Sequence, residues 1–452
     1  MSVRLLSRLS FRRLSRTYSS ASLHHEPKSG DKVVIGMSGG VDSSVAARLL
    51  ADQDYDLSAV FMRNWDTRDE SGTDVGCEWE KDWQDVQRVC KSLGIPCQMI
   101  DLSREYWNRI FAPALRMWEF GQTPNPDVWC NREIKFGALL ERLPIDSNTG
   151  QKSWFATGHY AKKCWSDGPN SRPKLLSAKD EFKDQSFYLS SISEEGLARA
   201  LFPLGSLTKM EVRELARQHN LETAERPESM GLCFVGERGK FNNFLSSYLT
   251  PNPGEIFDLA TGKKVGDHKG LWAYTVGQKA KIPGMLQKMF VAHKDLETND
   301  LWVVPGKYHE ALFKDVIHFK DWAWIWRDSP PEDVFTESGL RASVRIRHRA
   351  RSTPCTVKQS PDGTVTITTD DPEKGVSPGQ VAAIWIDDWC LGCGTIHSSQ
   401  QTNSLSSLSS EALEESQQLQ EEFILRQQQA AERAAASSRA AIKKNRWPKT
   451  RP

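Results

Sequence analysis

Hydrophobic residues in the first third of the chain come in short runs separated by amphipathic stretches. Runs at 33–35, 57–62, 97–100 and 154–157 have strand length and β-type residues. Between them lie segments with helical spacing. Val45, Ala46, Leu49 and Leu50 share a face after the first run; Trp83, Val86, Val89 and Leu93 mark a helix over 79–93. Residues 106–120 read as mainly helical, with Pro113 placed to kink or divide them. Strands alternating with helices predict a parallel sheet covered on both faces. Ligands of such sheets lie at the carboxyl ends of the strands. That puts the loop 36–43, Met62 and Gly158 on one rim.

Alternation stops near 221–230, and 233–249 reads as a loop followed by a helix. From Gly254 onward short strands dominate, at 255–258, 301–304, 340–347, 364–369 and 381–386, with turn signals PNPG, PDG and SPGQ. The pattern predicts an α/β domain over 28–225, a small middle domain over 226–298 and a β-barrel-like domain over 299–397.

The two ends differ from this pattern. Residues 1–25 hold five arginines, many serines and no acid, the signature of a mitochondrial transit peptide, so 1–27 are set apart from the fold. After His397 a serine-rich stretch leads into an Ala/Glu/Gln/Arg segment, and 398–452 are expected to form a solvated tail. No apolar run is long enough for a membrane span. A net charge of +1 gives no global nucleic-acid signal, so any basic surface must be local. Nine cysteines without a secretory signal argue against a disulfide scaffold. Of sixteen tryptophans several cluster late, at Trp322, Trp324 and Trp326, and these read as core or domain interface.

The turn after the first strand carries the clearest chemistry. Gly36-Met37-Ser38-Gly39-Gly40-Val41-Asp42-Ser43 joins a strand to a helix start. Backbone N–H groups and the positive helix end suit an anion there. Glycines at 39 and 40 permit close approach and positive φ. Asp42 cannot hold phosphate by charge, which makes Mg²⁺ its natural partner. The spacing is neither a Walker A loop nor G-x-G-x-x-G. It resembles the PP-loop of ATP pyrophosphatases, which release pyrophosphate and adenylate a substrate oxygen.

Two cysteines stand in contexts suited to function. Cys130 follows the turn Thr123-Pro124-Asn125-Pro126-Asp127, with Arg132 and Lys135 near enough in sequence to favour a thiolate. Cys233 is flanked by apolar residues between Gly231 and Gly236. An ATP-activating loop needs neither thiol. With two of them, sulfur transfer by thiol exchange is the reading.

At this point the chain resembles a known family. GMSGGVDSSVAA, TPNPDVWCNREIKF, ATGHYA, KDQSFYL, GLCFVGER, YTVGQ, SPGQ and CLG occur in the order found in tRNA-specific 2-thiouridylases, over 31–397. With its leader the chain looks like the mitochondrial branch. The resemblance implies an adenine nucleotide alpha hydrolase-like sheet, and thiolation of the wobble uridine in tRNAs for Lys, Glu and Gln. It implies that Gly36 through Ser43, Met62 and Gly158 bind ATP with Mg²⁺. Asn125, Pro126 and Asp127 would contact the target uridine. Lys183, Asp184, Gln185, Arg347 and His348 would contact tRNA, the last two within the basic string VRIRHRAR. Cys233 would carry a persulfide from an upstream sulfur-relay protein, and Cys130 would be its partner nucleophile. A transient Cys130–Cys233 disulfide would then need a reductant.

Two positions depart from the family pattern: Lys279 stands where arginine usually follows GQ, and Cys393 replaces a glycine, creating a C-x-x-C with Cys390. Two other readings stay open. One is a PP-loop enzyme that installs nitrogen, amidotransferase- or lysidine-synthetase-like, which would not need both cysteines. The other is a non-catalytic tRNA-binding scaffold, against which the intact 38–43 string argues.

Overall fold

A computed structural model describes residues 25–65, 78–145, 150–227 and 241–402. The first domain begins with strand β1 (Lys32–Met37), helix α1 (Val41–Ala51), β2 (Asp56–Arg63), α2 (Glu78–Leu93) and β3 (Cys97–Asp101). Two helical runs follow, α3 over 103–119 and α4 over 126–142, then β4 (Trp154–Thr157). A hairpin, β5 (Lys162–Trp165) and β6 (Pro173–Leu176), precedes β7 (Ala200–Leu201) and α5 (Lys209–Gln218). β3, β2, β1, β4 and β7 lie side by side in that order, and every pair is parallel.

Period-two alternation assigns the two faces of this sheet. Val33, Ile35 and Met37 pack with α1 and α2 through Val45, Ala46, Val86 and Val89. Val34 points the other way, into Ile110, Phe111, Ile134 and Phe155. Each fully buried side chain of this size contributes roughly 1.5–3 kcal/mol. Gly36 of β1 stands opposite Val60 of β2 and Thr157 of β4, so these carboxyl ends are level. The rim expected from the sequence is therefore assembled.

Both long helical runs widen locally. Trp107–Phe111 and Cys130–Leu139 adopt the π register. The first lies just before Pro113, which lacks the N–H that a continuous α ladder would need.

The second unit is a five-stranded sheet. Its strands are β8 (Gly254–Asp258), β9 (Lys264–His268), β10 (Lys279–Ala280), β11 (Met289–Asp295) and β12 (Asp300–Pro305), in spatial order β10-β11-β12-β8-β9. The third is built from β13 (Phe313–Trp324), β14 (Leu340–Arg345), β15 (Thr353–Gln359), β16 (Val365–Lys374), β17 (Val381–Ile386) and β18 (Trp389–Gln400). Their order is β13-β16-β15-β14-β17-β18, and β13 pairs back to β18, closing a six-stranded antiparallel barrel. Closure removes exposed strand edges.

The sequence pattern did not show that the β5–β6 hairpin of the first domain joins this last sheet. Leu176 pairs with Trp389, and Leu175 with Cys390. Trp326 donates to the Pro173 carbonyl at 2.8 Å, so the late tryptophans pack the barrel and its seam with the hairpin. Strand β18 runs to Gln400, and Asp315 accepts from Thr402 at 2.7 Å, so order extends past His397. The strand expected over 340–347 ends at Arg345; Arg349 then takes φ 66°. Among the described residues no helix is long and apolar enough to cross a membrane.

Candidate active site

The glycine loop is held open from within. Ser43 Oγ accepts from the Ser38 amide at 3.1 Å and donates to the Gly40 carbonyl at 3.1 Å. Ser44 Oγ also donates to Gly40, at 2.9 Å. Gly40 caps α1 with no side-chain bond to its first amides. Those N–H groups and the helix dipole face the rim, an arrangement suited to phosphate. Gly39 has φ +73°, which a side chain resists. Gly158, at the end of β4, backs directly on the loop: a Cβ there would lie 2.8 Å from the Ser43 nitrogen. Met62 lies at the end of β2, packed on the first domain's core.

Charged groups lock the loop from behind. Arg226 donates to the Gly39 carbonyl at 2.7 Å and to Asp85 at 2.6 Å, and also pairs with Asp82. Asp42 receives Lys209 Nζ at 2.7 and 2.8 Å, one bond to each oxygen, and the Tyr160 hydroxyl at 2.8 Å. Its charge is matched here by Lys209, with which a Mg²⁺ arriving on ATP would have to share it. The described residues contain no cluster of three or more His, Cys, Asp or Glu side chains that would hold a metal ion. A Mg²⁺ bound through one carboxylate and the phosphates of a nucleotide needs no such cluster, and no step below runs through a metal.

Helix α4 presents the second group of candidates. Asn125 caps it, accepting from the Val128 amide at 3.4 Å, and Pro126 occupies the first turn, where no N–H is needed. Asp127 follows. Burial raises its carboxyl above the ordinary value, and the Lys135 charge draws it part of the way back. Cys130 opens the π segment and is 6% exposed. Asn131 donates to the Asp127 carbonyl at 3.0 Å. Lys135 turns to a histidine: its Nζ is 3.3 Å from His159 Nε2, and His159 Nδ1 is 2.8 Å from Thr157 Oγ1. Burial, with Lys135 adding to it, holds His159 well below the ordinary imidazole value. Lysine can only donate, so Nε2 accepts and Nδ1–H points to Thr157.

The other two domains grip the turn that precedes α4. From the barrel, Gln380 Nε2 donates to the Thr123 carbonyl at 2.9 Å, and the Thr123 amide donates to Pro378 at 3.0 Å. From the middle domain, Lys294 Nζ donates to the Gly121 carbonyl at 2.7 Å. The SPGQ string therefore serves as a clamp on TPNPD.

Several expected tRNA contacts face inward instead. Asp184 is 3% exposed; it accepts from Ala178 N, Ser186 N and Ser186 Oγ, and from Arg345 at 2.9 Å. A carboxylate so enclosed ties the first domain to the barrel in this structure. Gln185 exchanges bonds with the Tyr160 backbone at 3.0 and 2.8 Å. Arg347 spends Nη2 on the Lys374 and Gly375 carbonyls inside the barrel. His348 Nε2 donates to the Asp184 carbonyl at 2.9 Å, and its ring packs 4.3 Å from Tyr188. In VRIRHRAR the exposed arginines are Arg349 and Arg351. Lys183 is half-buried in a turn closed by Asp180.

Cys233 lies outside the described residues. Cys390 and Cys393 are buried on β18, and burial raises both thiols, Cys393 to about 11. Sequence reasoning missed Tyr160, Lys209, Arg226 and Gln380 as parts of the site. The capping signature at Thr208–Glu211 marks a helix start, but nothing local pairs Lys209 with Asp42.

Three family models match consecutive segments: a tRNA methyl transferase HUP domain over 31–237, a tRNA methyl transferase PRC-barrel domain over 242–305 and an aminomethyltransferase beta-barrel domain over 314–396. The tRNA-specific 2-thiouridylase MnmA of Francisella philomiragia is 41% identical over 373 residues, covering 81% of this chain and 99% of that protein. The mitochondrial tRNA-specific 2-thiouridylase 1 of Gallus gallus is 39% identical over 396 residues, covering 81% of this chain and 92% of that protein. Full-length likeness at this level, over a chain that keeps the loop, the Pro-flanked turn and the barrel clamp, leaves one conclusion: this chain belongs to the tRNA-specific 2-thiouridylase family.

Proposed function

We propose that this chain replaces the C2 oxygen of the wobble uridine in mitochondrial tRNAs for Lys, Glu and Gln by sulfur, at the cost of ATP. The observation that carries the reading is a pairing across one rim. A glycine loop with uncapped helix amides is joined through Gly158, His159 and Lys135 to the helix that carries Asp127 and Cys130 behind the Asn125 cap. The activity in the names of the two relatives supports the same reaction.

In this reading Gly36 to Ser43, with Met62 and Gly158, receive ATP, and Asn125 to Asp127 orient the uridine. The C2 oxygen attacks the α-phosphorus, the bond to pyrophosphate breaks, and Asp127 accepts the N3 proton. A carboxyl raised by burial is a better base near neutral pH. The terminal sulfur of a Cys233 persulfide then attacks C2 and expels AMP. The Cys130 thiolate attacks the Cys233 sulfur, 2-thiouridine departs and regains its proton, and a Cys130–Cys233 disulfide remains. A thiol reductant supplies two electrons to reset the pair, and a sulfur-relay protein reloads Cys233. In a second route Cys130 frees hydrosulfide from the persulfide, and hydrosulfide attacks C2.

The test is mass analysis of wobble nucleosides in mitochondrial tRNA from cells carrying Cys233→Ala or Cys130→Ser. Loss of 2-thiouridine in both, with other modifications kept, is expected. Unchanged 2-thiouridine in either would remove that cysteine from the mechanism. A tRNA–enzyme adduct accumulating in C130S favours direct persulfide attack. Matrix targeting is checked by comparing the full chain with a 28–452 form, which should stay outside mitochondria.

A further inference from the structure

Half-buried Lys135 and buried His159 form a cationic junction between the two halves of the site that the proposed steps leave unused. His159 follows Thr157 and Gly158 at the end of β4, and Gly158 abuts the backbone of Asp42 and Ser43. Lys135 comes from α4, five residues after Cys130 and eight after Asp127. In the π register that begins at Cys130, bonds run from i to i+5, so residues five apart lie nearly over one another. The wide helix therefore brings the Lys135 stem onto the side of the helix that carries Cys130. The 3.3 Å bond to His159 then draws its ammonium toward the nucleotide loop.

The histidine is built to hold a cation without neutralising it. It is buried, and its only polar neighbours in hydrogen-bond reach that the structure gives are Lys135 and Thr157. A carboxylate at that place would cancel the lysine charge; a neutral imidazole orients it and leaves the charge available. The remaining two N–H donors of an ammonium are directed elsewhere. The lysine charge also acts on Asp127, and its bond to His159 sets it beside Gly158, which abuts the loop that receives a triphosphate.

The geometry points to Lys135 as a catalytic residue for adenylation, donating to the non-bridging α-phosphoryl oxygens as the C2 oxygen bonds to the α-phosphorus and pyrophosphate leaves, with His159 as its positioning residue. This rests on the proposed function, and it deepens it. Negative charge on those oxygens must be held both as pyrophosphate departs and as AMP later does. A fixed cation in a site shielded from water serves both steps.

The experiment is tRNA-dependent release of labelled pyrophosphate from ATP in a single turnover, without sulfur donor, using the full chain and an unmodified tRNA transcript. Lys135→Met should slow the first turnover ~10²-fold, the scale of losing one preorganised donor, while KM for ATP moves less than about threefold. Lys135→Arg should retain part of the rate. His159→Gln should stay near wild type, since its amide can accept from Lys135 and donate to Thr157; His159→Leu should fall toward K135M. Wild-type rates in K135M, or a loss confined to KM, would overturn the assignment. So would normal adenylation in K135M accompanied by a shifted pH profile for alkylation of Cys130, because the lysine would then serve the thiol. Failure of the wild-type enzyme to release pyrophosphate with tRNA would instead overturn the proposed function, and that arm contains no variant.

Discussion

Gly158 and Lys209 act on the glycine loop from opposite sides, and each is testable by one substitution. A methyl at 158 would stand 2.8 Å from the Ser43 nitrogen and 2.9 Å from the Asp42 carbonyl carbon, both backbone atoms that cannot swing aside. Gly158→Ala must push the loop off its position. We expect KM for ATP to rise at least tenfold and stability to fall by about 1–3 kcal/mol, the usual cost of overpacking. Titration with ATP and urea unfolding would read the two effects separately. Lys209→Met leaves Asp42 with only the Tyr160 hydroxyl among the partners described. Removing one member of a partly buried pair strands the other charge, so a loss of roughly 1–2 kcal/mol is expected. The loop amides would also lose their fixed neighbour, and weaker ATP binding should accompany the lower urea midpoint. Retained affinity in K209M would show that Asp42 and Lys209 only brace the fold.

At the scale of elements, the Pro-flanked turn depends on a glycine in another domain. Gly379 has φ +91°, and a Cβ there would lie 2.8 Å from the Thr123 nitrogen. Gly379→Ala should therefore lower thiolation turnover several-fold while leaving KM for ATP within about twofold, since the glycine loop is not touched. Equal loss in both constants would mean that the clamp supports the whole domain. The same elements show what a sequence can reveal. The strands at 33–35, 57–62 and 154–157 were legible because burial on two faces favours unbroken apolar runs, while the edge strand at 97–100 is only partly buried. The glycine loop and the turn at 123–127 were legible because backbone geometry restricts their residue types. The π register of α4 was not, since the same apolar residues satisfy either helix. Nor was the inward turn of Asp184: the KDQ string reads as exposed charge until Arg345, 161 residues later, folds onto it. Pairing of β6 with β18 has no local period at all. The long-range partners, not the elements, were hidden.

For the whole molecule, the contacts of three domains around one turn predict that their docking is a condition for catalysis. Lys294 tests this. It is 8% exposed on β11, donates to the Gly121 carbonyl, and burial lowers it to about 7. The unfolded chain holds that proton up to about 10.4. Between these values the unfolded state binds more protons than the folded one, so stability rises with pH across the window. Below about 7 the penalty for burying the charge is complete. Above the unfolded value it vanishes. One such group contributes at most about 1.4 kcal/mol per pH unit. Wild-type protein should therefore gain more stability than Lys294→Met between pH 7 and 9. Denaturant midpoints at the two pH values, in one buffer system, give the comparison. If K294M keeps the full rise, the lysine does not set the docking energy. If it loses the rise and also loses turnover at unchanged KM for ATP, the middle domain acts through Gly121 on the turn that carries Asn125, Asp127 and Cys130. Closure of the site is then a property of all three domains together, and the nucleotide loop alone is not sufficient for it.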